Sequence, residues 1–251
     1  IINEILNKTK PTTCINQLKY NNATLNDATS ICNALNNNFI DTINQLHLGF
    51  SNKATANDLI VGIESNKCSL FLDIIEPSEV ISTLNKFKPN KSSSSDGLNM
   101  FIIKLFVYEL VLPFTHICNI SLQCGKFPDA FKMAKVLPIF KKGNREDPGN
   151  YRPISLLSPL SKVLEQLVAT RMKSFIAKYN LLPNSQYGFR PNHSTELALL
   201  ELYHRVLINM NDKHLTIGVF IDFTKAFDII DHRLLLLKLL VVKSILGCLV
   251  I

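Results

Sequence analysis

The sequence predicts an α+β fold. Two observations carry this: long stretches whose apolar residues recur every three to four positions, and short apolar runs of strand length bounded by polar turns. Hydrophobic residues make up 47% of the 251 residues, enough for a sizeable core, and charged residues only 19%, too few for a disordered chain. That length holds one large or two small domains, at ~100–200 residues each.

Residues 1–75 are Asn-rich and carry no chemical motif. Within them Asp27 is placed to cap a helix whose apolar positions Ile31, Leu35, Phe39 and Ile43 share one face. Pro77 starts a second helix, with Val80, Ile81, Leu84 and Phe87 on its apolar side. Lys88 to Gly97 is a loop, because its Ser and Gly residues resist helix and none fills a core. Residues 100–123 read as helical with a break at Pro113, and Gly125-Lys126-Phe127-Pro128 ends that segment.

Val136 to Phe140 reads as a strand, with Pro138 marking an edge. Tyr151 to Leu157 reads as its returning partner, giving a hairpin with a long charged tip from Lys141 to Asn150. A helix is expected from Pro159 to Tyr179, with Val163, Leu164, Leu167, Val168, Phe175 and Ile176 inward. Another starts at the N-cap Ser194, with Glu196 in its first turn, and runs to about Asn209. Leu215 to Ile221 is an apolar strand ending on Asp222, and Asp231 reads as the N-cap of a final Leu-rich helix. The expected units are 1–75, 76–212 and 213–251.

The net charge of +7 and pI near 9.1 point to a polyanionic partner, of which nucleic acid is the usual one. The six cysteines have no C-x-x-C spacing and no His cluster, so neither zinc ligation nor a disulfide framework is expected. Reduced, mostly buried thiols in an intracellular protein are expected. The longest apolar stretch, Met100 to Ile120, is interrupted by Lys104, Glu109 and Pro113, and reads as a buried helix, not a membrane span. The chain begins at Ile and stops within hydrophobic sequence, so both ends read as cuts.

Three stretches carry candidate chemistry. Asp222, on a rigid strand end, is a hard oxygen donor of the kind magnesium prefers, or else the cap of the helix that follows; Asp228 is equally ambiguous. The hairpin brings Lys141, Lys142 and Arg152 to one region. Lys as a point charge and Arg as a planar fork could clamp a triphosphate, or all three could lie on a solvated turn. The loop from Gln186 to Thr195 sets aromatics beside Arg190 before a helix N-terminus. That suits base stacking and phosphate binding, and equally a helix-entry loop whose Phe packs inward.

Taken in order, these stretches resemble non-LTR (LINE-type) retrotransposon reverse transcriptases. The resemblance rests on Lys88 to Gly97, on Gly125 to Pro128 with Val136 to Gly143, and on Asn150 to Leu157. It extends to Gln186 to Arg190 with Ser194-Thr195, and to Asp222-Phe223-Thr224-Lys225-Ala226-Phe227-Asp228. It implies helix-rich fingers plus the first strand of a right-hand polymerase palm. Asp222 would be the catalytic magnesium ligand, with the Phe223 carbonyl a second donor. Lys141 would hold the triphosphate with Arg152, Lys141 being preferred over Lys142 by its strand-pairing position. Phe227 would lie under the incoming sugar and select deoxynucleotides. Gln186 and Arg190 would face nucleic acid. The implied cofactor is Mg2+, and the implied partners are an RNA template, a DNA primer and deoxynucleoside triphosphates.

The sequence departs from the family's pattern in having no Asp-Asp pair, no thumb, no endonuclease and no zinc knuckle. Val241 to Gly247 also fits poorly. The expectation is therefore a domain interrupted within the palm and inactive alone, its last strand left with an unpaired edge. The alternative is a non-catalytic nucleic-acid-binding remnant of a mobile element.

Overall fold

The computed structural model describes residues 15–50, 70–89 and 94–241. Helices and small antiparallel sheets make up an α+β arrangement, as predicted.

The first element is a small hairpin, β1 (Leu18–Tyr20) paired with β2 (Ala23–Leu25). Its turn residues Asn21 and Asn22 both have positive φ, 51° and 62°. Such a two-residue turn matches the twist of the flanking strands, and Asn tolerates it better than most residues. Helix α1 (Ala28–Phe50) follows, and the Asp27 carboxylate accepts a hydrogen bond from the Ser30 amide at 2.8 Å. The apolar stripe turns inward as expected: Ile31, Leu35 and Phe39 are buried.

Helix α2 (Pro77–Lys86) begins at the predicted proline and buries Val80 and Leu84, with Ile81 and Phe87 packed beside them. The loop from Ser94 to Leu98 is closed by Asp96, whose Oδ1 accepts from the Ser94 hydroxyl and from the Leu98 amide at 2.9 Å. Part of this predicted loop, residues 90–93, lies outside the described residues.

The predicted helix over 100–123 is two helices, α3 (Met100–Leu105) and α4 (Val107–Cys124), and the break falls at Phe106 instead of Pro113. A proline inside a helix costs about 3 kcal/mol. Here burial of Val111, Phe114, Thr115 and Cys118 along one face outweighs it and carries the helix through. Gly125, at φ 63°, caps α4 in the left-handed conformation. Helix α5 (Asp129–Lys132) is a single turn.

The central hairpin pairs β3 (Ala134–Phe140) with β4 (Tyr151–Leu157) in antiparallel register, Ile139 opposite Arg152 and Phe140 opposite Tyr151. Pro138 lies opposite Pro153. The Lys141 amide donates to the Asn150 carbonyl at 2.8 Å, which makes 141–150 a hydrogen-bonded pair. Pairs alternate, so 138–153 is a non-bonded pair whose backbone groups point outward, where neither proline interrupts the ladder.

Helix α6 (Pro159–Lys178) buries Val163, Leu164, Leu167 and Phe175. With α2, α3 and α4 it forms the main core, centred on Ile75, Val80, Leu84, Ile103, Phe114 and Leu164. Arg171 ties α6 to α2 through a two-pronged bond to Glu79, at 2.5 and 2.8 Å. Asn119 on α4 clamps the backbone of Ile75 from both sides, accepting from its amide at 2.7 Å and donating to its carbonyl at 3.0 Å.

Helix α7 (Thr195–Asn211) starts at the predicted cap, Ser194, whose hydroxyl accepts from the Leu197 amide. It buries none of its residues. Helix α8 (His232–Val241) is capped by Asp231, whose Oδ1 accepts from the Arg233 amide at 2.8 Å. Residues 242–251, with most of the poorly matching tail, lie outside the described residues.

The strand predicted at Leu215 to Ile221 is not formed. Residues 214–223 have no ladder partner among the described residues, and Leu215 and Ile217 are 97% and 87% exposed. A strand owes its stability to neighbours that satisfy its backbone groups and cover one face, and this segment has neither. The thiols also differ from expectation: of the described free cysteines only Cys118 is buried, while Cys32 and Cys124 are exposed. Burial pushes the Cys118 thiol up to about 12. Among the described residues no helix is long and apolar enough to cross a membrane.

Candidate nucleotide and nucleic-acid site

The central hairpin is the best-built part of the candidate site. Side chains alternate across a strand, so the register puts Lys135, Leu137, Ile139 and Lys141 on one face with Arg152, Ile154 and Leu156. Lys141 and Arg152 are therefore diagonal neighbours, and Lys142 lies beyond the ladder in the bend of the tip. Lys141 and Arg152 are both exposed, and among the described residues neither is held in an ion pair. The face offers two exposed cations beside the exposed apolar side chains Leu137, Ile139 and Ile154.

The charged tip is exposed and cross-bonded by its own side chains. Gly143 has φ 92°, and a Cβ there would stand 2.9 Å from the Asn150 side chain. Asn150 Nδ2 donates to the Asn144 carbonyl at 2.9 Å, and Asp147 Oδ1 accepts from the Gly149 amide at 2.8 Å, at the 3-10 turn Pro148–Asn150. The Tyr151 hydroxyl donates to the Arg145 carbonyl at 2.6 Å, and the Arg145 guanidinium lies 4.6 Å from the centre of the Phe140 ring.

Asp222 lies in the unpaired segment and is exposed. Among the described residues its carboxylate makes no hydrogen bond, so it does not cap the turn that follows, Thr224 to Ile229. That turn is closed by the backbone of Lys225, at φ 51°, whose carbonyl accepts from the Asp228 amide at 2.9 Å. Phe223 and Phe227 are exposed as well.

The loop before α7 is held by its own backbone. Arg190 donates to the Pro183 carbonyl at 3.0 Å, and Gln186 to the Gly188 carbonyl at 3.2 Å. Phe189, at φ 58°, stands clear of the core and meets Phe227 edge to face at 6.0 Å. This is a contact that sequence reasoning missed: it joins the Gln186–Arg190 loop to the Asp222 segment. Both local readings of the loop had left Phe189 a separate role.

Magnesium takes about six oxygen ligands, and commonly only one or two are protein carboxylates. Asp222, with the neighbouring Phe223 carbonyl, fits one corner of such a site. The donors do not fit a two-ion site, since among the described residues no three acidic, imidazole or thiol groups converge.

Residues 139–244 match the reverse transcriptase (RNA-dependent DNA polymerase) family. The matched segment runs from the hairpin face through Asp222. These residues form a reverse transcriptase segment, and the chain is similar to the polymerases of non-LTR retrotransposons. It is 33% identical over 194 residues to a probable RNA-directed DNA polymerase from transposon BS of Drosophila melanogaster, covering 76% of this chain and 21% of that protein. It is 33% identical over 171 residues to the RNA-directed DNA polymerase from mobile element jockey of the same species, covering 68% and 19%. With the Pol polyprotein of the type-1 retrotransposable element R1 of Bradysia coprophila, identity is 32% over 170 residues, covering 66% and 16%. The chain thus spans about a fifth of the length of these curated relatives.

Proposed function

We propose that this reverse transcriptase segment supplies the nucleotide-holding face of the fingers and the first metal-ligating aspartate of an RNA-directed DNA polymerase. The reaction is attack of a primer 3′-hydroxyl on the α-phosphate of a deoxynucleoside triphosphate, with release of pyrophosphate. The observation that supports the reading is the hairpin register, continued by the Lys141–Asn150 backbone bond, which sets Lys141 diagonal to Arg152. Two exposed cations on one face of a hydrogen-bonded ribbon suit a polyanion: Arg152 offers a planar fork to two phosphate oxygens and Lys141 a point charge to a third.

Asp222 is the magnesium ligand of this reading, with the Phe223 carbonyl beside it. The support is chemical: an exposed carboxylate with no capping duty is free to bind a cation. Phe227 presents a bulky ring that would exclude a 2′-hydroxyl and so select deoxynucleotides. Gln186 and Arg190 face the RNA template or DNA primer, a role that suits a polar loop bearing exposed aromatics. The residues 215–221 are the first strand of the palm, and they form it when partner strands are present.

Titration of the chain with a deoxynucleoside triphosphate tests the clamp. Lys141→Ala and Arg152→Ala are each expected to weaken binding by about tenfold, the scale of one charge-assisted hydrogen bond, and Lys142→Ala to leave it nearly unchanged. Equal losses in all three variants would refute the face assignment. The chain alone is expected not to extend a primer. Magnesium-dependent extension that disappears in Asp222→Ala would show a complete metal site within these residues.

A further inference from the structure

The N-terminal stretch, read from sequence as lacking any chemical motif, is built around the tip of the nucleotide-holding hairpin. Tyr151 is the one buried residue of the central hairpin in the second core, where it packs with Leu18, Ile31, Leu35 and Phe39. Phe140, opposite Tyr151 in the ladder, packs against the same cluster. The Lys19 amide donates to the Glu146 carbonyl at 2.7 Å, and the Lys19 ammonium meets the Glu146 carboxylate at 2.6 Å. This core shares none of its residues with the main core of α2, α4 and α6.

Tyr151 and Phe140 lie on the face opposite Lys141 and Arg152, and each directly adjoins one of the two cations in sequence. Gripping one face of a two-stranded ribbon fixes where the other face points. An isolated hairpin is marginally stable in water, so the grip also determines how often the ladder opens.

We propose that residues 15–39 are a positioning module for the hairpin, with Tyr151 and Glu146 the positioning residues through which it sets the geometry of Lys141 and Arg152. The inference rests on the reading of that face as a triphosphate clamp. It gives the Asn-rich stretch a role in nucleotide affinity without contact to the nucleotide.

The test uses the whole chain, amide hydrogen exchange, and calorimetric titration with dGTP in magnesium buffer. In Leu18→Asn, exchange at the Lys141 amide is expected to speed by about tenfold or more as local opening becomes easier. The α6 amides of Leu164 and Leu167 should keep their protection, which shows that the main core is intact. Affinity for dGTP should fall as far as in Lys141→Ala. Leu18→Met should restore both, and Glu146→Gln, which keeps the core, should shift both in the same direction by less. Unchanged exchange at Lys141 in Leu18→Asn would overturn the proposal. So would faster exchange with unchanged affinity, provided Lys141→Ala does weaken binding. No loss of affinity in Lys141→Ala would instead refute the clamp reading, and this proposal with it; that single variant separates the two failures.

Discussion

The hairpin of residues 134–157 and the segment of residues 214–231 carry the two halves of the candidate site, and they are built in opposite ways. The hairpin is a complete ladder, capped by a cross-bonded tip and gripped by a core. The Asp222 segment has no ladder among the described residues and exposes large apolar side chains. Cationic side chains that hold phosphates can be organised by local pairing, because a hairpin satisfies its backbone within a couple of dozen residues. A carboxylate on a central strand depends on neighbouring strands, which a short segment does not contain. Preorganisation is therefore present where it is local and missing where it is long-range.

Truncation of core side chains should separate the well-packed part of the molecule from the Asp222 segment most widely. Leu167→Ala, in the main core, is expected to cost about 2–5 kcal/mol in urea unfolding, from lost transfer energy and a residual cavity. Ile217→Ala, at 87% exposure, should change stability by less than about 0.5 kcal/mol. A large loss at Ile217 would mean that the segment has partners in solution, and the contrast would fail.

Glycine replacement gives a smaller and sharper version. Gly143→Ala places a Cβ at positive φ and against Asn150, and should cost about 1–3 kcal/mol. At Gly218 the nearest atoms to a Cβ are the tip of the Phe220 ring, at 3.2 Å, which can swing away. Gly218→Ala should be close to neutral by the same denaturation measurement.

The smallest effect is expected with acid. Partial burial pushes the Asp96 carboxyl up, but hydrogen bonding from Ser94 and from the Leu98 amide outweighs it and holds the group below its ordinary value of 3.8. The buried Ser158 hydroxyl also bears on this carboxylate, although it makes no hydrogen bond of good geometry. A group lowered in the fold stabilises it fully above that ordinary value, and the contribution is lost as pH falls through the folded value. The loop should open in that acid window. Asp96→Asn should abolish the dependence, as read by exchange at the Leu98 amide.

Much of the architecture was legible because it is written in local signals. Pro77 and Ser194 mark helix starts that need no tertiary information, and the hairpin follows from two apolar runs around a Gly- and Asn-rich turn. The break at Phe106 was hidden because the packing of Val111, Phe114 and Cys118 overrides the local cost of Pro113. The β1–β2 hairpin was missed although Asn21-Asn22 is its signal, since three-residue strands carry almost no periodicity. Asp222 is singled out only by its neighbours in sequence order. Its strand was overcalled because composition reports the preference of a segment and not the presence of the strands it must join.

The facing prolines of the hairpin have one more consequence. Pro138 and Pro153 remove the outward amide donor from both margins at the same level. A third strand approaching from either side would meet a gap in the donor row where its own carbonyl sought a partner. The ribbon is thereby kept two strands wide in a chain that also exposes many apolar side chains. It resists sideways recruitment of extended peptide, which leaves its flat faces as the surfaces open to contact.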